Sequence, residues 1–103
     1  MAMFITIGYG DPVGYDRTDP AKRDAAHAHD ARLRSNGVVM GVAASPVQVR
    51  NHDAVGVRTE TGPFLRSSLP VAGFALSDAA SIAKTPCAVA HGVVEVWPLE
   101  QVP

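Results

Sequence analysis

The chain has 103 residues, of which 47% are hydrophobic and 18% are charged. A chain of this length rarely builds more than one hydrophobic core, so we predict a single domain over residues 1–103. Its net charge of −1, without a long run of either sign, excludes the basic footprint of proteins that bind nucleic acid or anionic membranes. No stretch approaches the roughly 18 apolar residues of a membrane helix, and the single Cys87 cannot form an internal disulfide. We expect a soluble, cytoplasmic protein.

The chain opens with a predicted strand followed by a predicted loop. Residues 4–7 form a short β-branched and aromatic run that ends at Gly8, which is typical of a buried strand. Residues 8–18 carry three glycines, a proline and two tyrosines, Tyr9 and Tyr15. This composition breaks regular structure, so it predicts a loop that bears aromatic rings.

A helix is predicted next, between two local signals. Asp19 is suited to the N-cap and Pro20 to the first helical position. Asn36 and Gly37 supply the C-terminal stop. The residues between them are mainly Ala, Arg, Lys and Asp, which favour a helix.

The remaining two thirds of the chain predict further strands and one short helix. Ser77 or Asp78 is suited to cap that helix, which must end before Pro86. The predicted strands are residues 38–43, 47–51, 55–59, Val71–Leu76 and 93–97. The second and third of these form a hairpin.

This order of elements predicts an α+β fold, an antiparallel sheet with helices on one face. The strands look apolar on both sides, and two helices can cover only one of them. We therefore expect the second face to pack against an identical sheet, which predicts a homodimer.

The most informative segment is Gly62-Pro63-Phe64, which precedes the strand Val71–Leu76. Other motifs accompany it in order: residues 4–9, 25–29, 72–74, 84–86 and 92–98. Over nearly its whole length the chain resembles the YCII-related family of small bacterial proteins, whose signature is Asp-Gly-Pro-Phe. In this chain Thr61 stands where the signature has its acid, and Ala26 falls where the family has its helix histidine.

The resemblance implies a fold and a kind of chemistry. Proteins of this family are similar to ferredoxin-like dimeric α/β barrels, in which two sheets close around a cleft. Those with assigned activities resemble lyases or dehydrochlorinases that act on small hydroxylated rings through an acid–base histidine. The span from Phe74 to Pro86 is shorter than in relatives, which predicts a second helix of little more than two turns.

The predicted first helix carries two histidines that point in different directions. With Leu33, the one large apolar residue there, as the centre of the buried stripe, His29 lies about 40° away and His27 about 120° away. We therefore expect His29 to face the sheet and His27 to face solvent. Imidazole exchanges protons near neutral pH, so His29, followed by His27, is the candidate catalytic acid or base. The alternative for His29 is a hydrogen-bonded packing role.

Neither a metal nor a cofactor is predicted. Residues two apart on a helix diverge by about 200°, so His27 and His29 cannot share one ion. The glycines of residues 8–14 miss the dinucleotide fingerprint by one residue, and Pro20 starts the helix too far away to reach a phosphate there. Cys87 has no neighbouring base in the sequence, so we assign it a packing role.

Four residues are candidates for binding a substrate. Tyr9 and Tyr15 can supply a hydroxyl and an aromatic wall from the predicted loop, which is otherwise a rigid surface loop. Asp11, on the same loop, can be the polar partner of a helix histidine. Arg66 can hold a carboxylate or phenolate through its fork of donors, or else is a solvated loop arginine.

These residues predict a cleft between the first helix, the tyrosine loop and the segment after Phe64. The leading hypothesis is a small-molecule lyase or isomerase that uses His29 as general base or acid on a small hydroxylated or anionic substrate. The alternative is a non-catalytic ligand-binding or accessory homodimer. The expected partners are a second copy of the chain and a small-molecule ligand.

Overall fold

A four-stranded antiparallel sheet with helices organises residues 3–100, the part of the chain that the computed structural model describes. The strands are β1 (Met3–Tyr9), β2 (Met40–Val42), β3 (Val47–Arg50), β4 (Arg58–Thr61), β5 (Val71–Leu76) and β6 (Val93–Leu99). The helices are α1 (Pro12–Asp16), α2 (Pro20–Ser35), α3 (Ala79–Ile82) and α4 (Pro86–Val89), and a 3-10 turn spans His52–Ala54. The predicted α+β class is confirmed.

Strand β1 lies inside the sheet, whose order is β2-β5-β1-β6. All three neighbouring pairs are antiparallel. In chain order these are the second, third, first and fourth strands of the sheet, which is consistent with the expected ferredoxin-like arrangement. Ile7 pairs with Phe74 on one side and with Glu95 on the other. Residues paired across strands share a face, so these three side chains project from the same side of the sheet.

The helices cover the other side of the sheet, the one that carries Thr6 and Gly8. Helix α4 contacts β1 and β6, and α2 packs against α4. The contact between α4 and the sheet is close, because a Cβ built on Gly8 would lie 2.7 Å from Sγ of Cys87. Glycine at this position of β1 therefore allows α4 to approach the strand.

No helix within residues 3–100 covers the opposite side of the sheet, which we call the open face. Large apolar side chains on it remain exposed: 50% of Phe74, 42% of Leu76 and 56% of Trp97. Leu76 and Trp97 both pair with Ile5, one from each neighbouring strand, so the three side chains form a row across this face.

Helix α2 forms where the sequence predicts it, because both of its end signals are local. The side chain of Asp19 accepts a hydrogen bond from the backbone N–H of Ala21 at 3.1 Å. Pro20 is the first helical residue, and Gly37 follows the helix at φ +90°. Within residues 3–100, no helix combines the length and the apolar character needed to cross a membrane.

The predicted loop over residues 8–18 is wrong at its centre, where α1 forms. The carboxylate of Asp11 caps this helix and accepts a hydrogen bond from the backbone N–H of Gly14 at 2.9 Å. Pro12 occupies the first turn. The same Asp-Pro signal marks the start of α2, so the helix was readable from the sequence despite the surrounding glycines.

The second helical region contains two short helices where the sequence predicted one. A helix capped by Asp78 forms as predicted, but it ends at Ile82. Pro86 then begins a second helix, α4, with Thr85 at its N-cap position. Proline cannot continue a helix but suits the first turn of a new one. Pro86, which was expected only to limit the predicted helix, therefore also starts α4.

The predicted hairpin is present, with its second strand displaced along the chain. Strand β4 begins at Arg58, which pairs with Arg50, rather than at residue 55. The 3-10 turn occupies His52–Ala54, where Asp53 and Ala54 adopt φ of 58° and 57°, and residues 55–57 connect it to β4. The two strands form a separate sheet that makes only isolated contacts with other helices and strands.

Candidate functional site

A cavity of about 620 Å³ lies between α2 and the covered face of the four-stranded sheet. Small residues form its floor: Thr6, Gly8, Gly73 and Ala75. These residues extend little into the cavity, because the glycines carry no side chain. The Thr6 hydroxyl donates a hydrogen bond to the carbonyl of Ala75 at 3.2 Å. Helices α3 and α4 have four residues each and do not fill the space under α2. Cavities of this size accommodate small organic ligands.

Tyr15 and His27 meet at the rim of this cavity. The phenol oxygen of Tyr15 lies 2.8 Å from Nε2 of His27, and both residues line the cavity. Their rings are edge-to-face, with centroids 5.8 Å apart. The guanidinium of Arg23 lies 4.7 Å from the centre of the Tyr15 ring and supports its position through a cation–π contact. The pair couples a phenol to an imidazole, a combination that can relay a proton.

Asp30 lies one turn after His27 and also lines the cavity. Its Oδ1 atom is buried and finds no hydrogen-bond partner within residues 3–100. Burial raises the pKa of the Asp30 carboxyl, and this outweighs the opposing effect of the positive charges on Arg34, His27 and His29. A carboxyl in this environment holds its proton more readily than one in water, which suits it to donate or accept a hydrogen bond inside the cavity.

Cys87 contributes the wall of the cavity that faces Asp30. Burial raises the pKa of the Cys87 thiol, and the negative charge of Asp30 adds to the effect. The protonated thiol is a weak nucleophile, so the environment does not activate it. These surroundings agree with the packing role assigned from the sequence.

His29 points away from the cavity. Its Nε2 lies 2.7 Å from the carbonyl oxygen of Ser81, and the ring is half-buried. Since a carbonyl oxygen only accepts, Nε2 carries the proton and donates it to this bond. His29 does not line the cavity. Its surroundings match the packing alternative. His27 is exposed, as expected, and also reaches the cavity rim.

The four predicted substrate-binding residues separate in space. Tyr15 and Asp11 line the cavity. Tyr9 lies on the open face, where it is buried and its hydroxyl donates a hydrogen bond to Oε1 of Glu95 at 3.1 Å. Arg66 is exposed, and neither it nor the rest of the segment after Phe64 lines the cavity. Of the three predicted borders of the cleft, the first helix and the tyrosine segment line the cavity, and the segment after Phe64 does not.

Arg34 is a cavity residue that the sequence analysis missed. His27, Asp30 and Arg34 are spaced by three and then four residues along α2, and all three line the cavity. This spacing places them on one stripe of a helix. The spacing was visible in the sequence, but the predicted functional face was centred on Leu33, and the cavity lies to one side of that residue.

Among residues 3–100, no three His, Cys, Asp or Glu side chains cluster in a way that could hold a metal ion. The polar groups that line the cavity include a phenol, an imidazole, a guanidinium and carboxyl groups. Such a set performs proton transfer and binds hydroxyl or anionic groups.

Comparison with known proteins does not assign the chain to a family. No protein-family model matches the chain, and a search of curated proteins found no significant match.

Proposed function

We propose that this protein is an acid–base enzyme, a lyase or isomerase, that acts on a small hydroxylated organic substrate in the cavity under α2. The observation that carries the proposal is the 2.8 Å contact between the Tyr15 hydroxyl and His27 Nε2 at the rim of that cavity. Perturbed carboxyl groups and hydrogen-bonded proton donors that converge on a concave site are typical of catalytic centres.

In this proposal His27 takes or returns the proton. The hydroxyl of Tyr15 holds the imidazole in position and bonds to the oxygen of the substrate. Asp30 supplies a second proton-holding group on the same side of α2, since burial raises its pKa. An elimination or isomerisation needs one group that removes a proton and one that returns it, and His27 and Asp30 form such a pair.

The proposed chemistry agrees with what the resemblance to the YCII-related family implies. The acid–base histidine would be His27, one residue after Ala26, where the family has its own histidine. Membership of that family remains a proposal. It is supported by the strand order and by a cavity that borders the predicted helix and the tyrosine segment.

We also propose that two copies pair through their open faces to form a dimeric α/β barrel. Phe74, Leu76 and Trp97 expose 50%, 42% and 56% of their surface there. Burial of apolar area contributes about 25 cal/mol per Å², so mating two such faces is favourable. On this face Tyr9 and Glu95 are hydrogen-bonded to each other within one copy, so these two polar groups keep a partner when the face is buried.

A second candidate function is a non-catalytic binding protein that kept the cavity. It is favoured by the bond of His29 to Ser81, which removes one candidate histidine from the site. Thr61, at the position of the signature acid, favours it as well.

Turnover separates the two functions. Hydroxylated aromatics and lactones would be screened for stabilisation against heat, and the compounds that bind would then be tested for conversion. We expect His27→Gln to lower turnover by about 10²-fold or more while the compounds still bind. His52→Gln, on the exposed 3-10 turn, is the matched control and should leave turnover unchanged. Unchanged turnover in His27→Gln would remove this residue from the mechanism, and binding without conversion would favour the second function.

A further inference from the structure

We infer that the substrate is a planar ring that carries a carboxylate at one end, bound by Arg34, and a hydroxyl at the other, bound by Tyr15 and His27. This inference rests on the proposed function, because it names the substrate class of the same cavity.

The two ends of the cavity are set by α2. His27 and Arg34 are seven residues apart, which is about two turns, so their Cα atoms differ by roughly 10 Å along the helix axis and by only about 20° around it. Both line the cavity. A ligand that touches both must therefore extend along the helix with one polar group near each end, as a ring with opposite substituents does.

The charge of the cavity favours an anion at the Arg34 end. Arg34 is the permanently charged cation among the described residues that line the cavity. Asp11 is engaged by the backbone N–H of Gly14, and Arg23 stacks on the Tyr15 ring. Asp30, one turn before Arg34, forms no ion pair with it within residues 3–100, so its carboxyl does not occupy the guanidinium. A guanidinium binds a carboxylate through two parallel hydrogen bonds, which fixes both position and orientation.

The floor of the cavity favours a flat apolar body between the two polar ends. Gly8 and Gly73 carry no side chain, and Ala75 adds a single methyl group. Such a surface lets the face of a ring lie flat against the sheet. The volume of about 620 Å³ leaves room for one ring with its substituents.

Two probes that differ only in charge test the carboxylate. p-Hydroxyphenylacetate has a hydroxyl and a carboxylate at opposite ends of one ring, and p-hydroxyphenylacetamide replaces the anion with a neutral group of the same shape. Calorimetry on the full chain should show that the acid binds at least about tenfold more tightly, the value expected of a hydrogen-bonded ion pair.

The assignment to Arg34 is tested by a pair of variants on the same helix. In Arg34→Gln the preference for the acid should fall to about one. Arg32→Gln removes an equal charge about 160° away around α2, outside the cavity lining, and should keep the preference. Heat denaturation of both variants without ligand checks that each is folded.

The outcomes also separate this inference from the proposed function. Equal binding of the two probes, equal loss of the preference in both arginine variants, or binding of neither probe would overturn the carboxylate assignment. If the acid and the amide bind equally but Tyr15→Phe weakens the binding of both, the carboxylate assignment fails while the proposed hydroxyl-binding end of the cavity is retained. The turnover test with His27→Gln decides the proposed function independently.

Discussion

The hydroxyl of Tyr15 lies 2.8 Å from Nε2 of His27, and this contact joins α1 to α2 at the rim of the cavity. Asp11 and Pro12 start the helix that presents Tyr15, while Asp19 and Pro20 start the one that presents His27. The two helices together thus place a phenol and an imidazole at one point, although the residues are 12 positions apart in the sequence.

If the two residues act as one catalytic unit, their effects on turnover will not add. We expect the double variant Tyr15→Phe with His27→Gln to lose less activity than the product of the two single losses, because part of the effect of the phenol passes through the imidazole. Steady-state rates of the four proteins on one substrate give the comparison. Losses that multiply would mean that Tyr15 and His27 act independently.

Removing the buried charge of Asp30 should stabilise the protein at neutral pH. Because the pKa of Asp30 is raised in the folded state above its ordinary value of 3.8, folding is favoured by the protonated form below that pH, and this contribution is lost as the pH rises. Asp30→Asn should therefore raise the melting temperature at pH 7 by a few degrees, with the gain fading below about pH 4. Asp24→Asn, at an exposed position of α2 about 120° around the helix from Asp30, is the control. A melting temperature that falls at pH 7 would indicate that the ionised carboxylate has a stabilising partner.

Gly92 should be intolerant of any side chain. A Cβ at this position would press on the backbone oxygens of Tyr9 and Cys87, neither of which is at the end of a flexible side chain. We expect Gly92→Ala to lower the free energy of unfolding by about 1–3 kcal/mol or more, as overpacking does. Gly56→Ala, where a Cβ meets nothing within 4 Å, should change it by less than about 1 kcal/mol. Urea denaturation of both variants makes the comparison, and equal midpoints would contradict the close packing around Gly92.

The proposed dimer predicts that a charge on the open face separates the two copies. Phe74→Glu places a carboxylate where the side chain is already half exposed in one copy, so the fold should persist while pairing is lost. Sedimentation measures the mass in solution. Val49→Glu introduces the same charge at an exposed valine of the separate hairpin and should leave the mass unchanged. A wild-type protein that sediments as one copy at micromolar concentration would rule out this pairing.

The sequence predicted elements best where the signals were local. Asp19 and Pro20 fixed the start of α2, and Val71–Leu76 was predicted with the bounds that the structure has. The same kind of signal at Asp11 was overlooked because glycines surround it, and α1 was predicted as a loop. The predicted hairpin kept its strands but not its register, because the conformation of the turn sets the register.

The candidate site was predicted less well, for two geometric reasons. The extent of β1 was unknown: the strand was predicted to stop at Gly8, so Tyr9 was placed on the tyrosine loop, whereas it ends the strand and faces away from the helices. The flank of α2 that borders the cavity was also unknown. His29 was ranked above His27 because it lies closer in angle to Leu33. The cavity, however, borders the flank of α2 that carries Asp30, which lies about 60° from Leu33 on the side opposite to His29.

By itself the sequence determined the α+β class, the position of the long helix and most of the strands, because caps, turns and hydrophobic runs act on neighbouring residues. Only the tertiary structure decided which side chains share a cavity. That outcome depends on the short helices α3 and α4 and on the small residues Gly8, Gly73 and Ala75, which together leave space under α2. Space of this kind arises from packing between distant segments, so no local pattern in the chain encodes it.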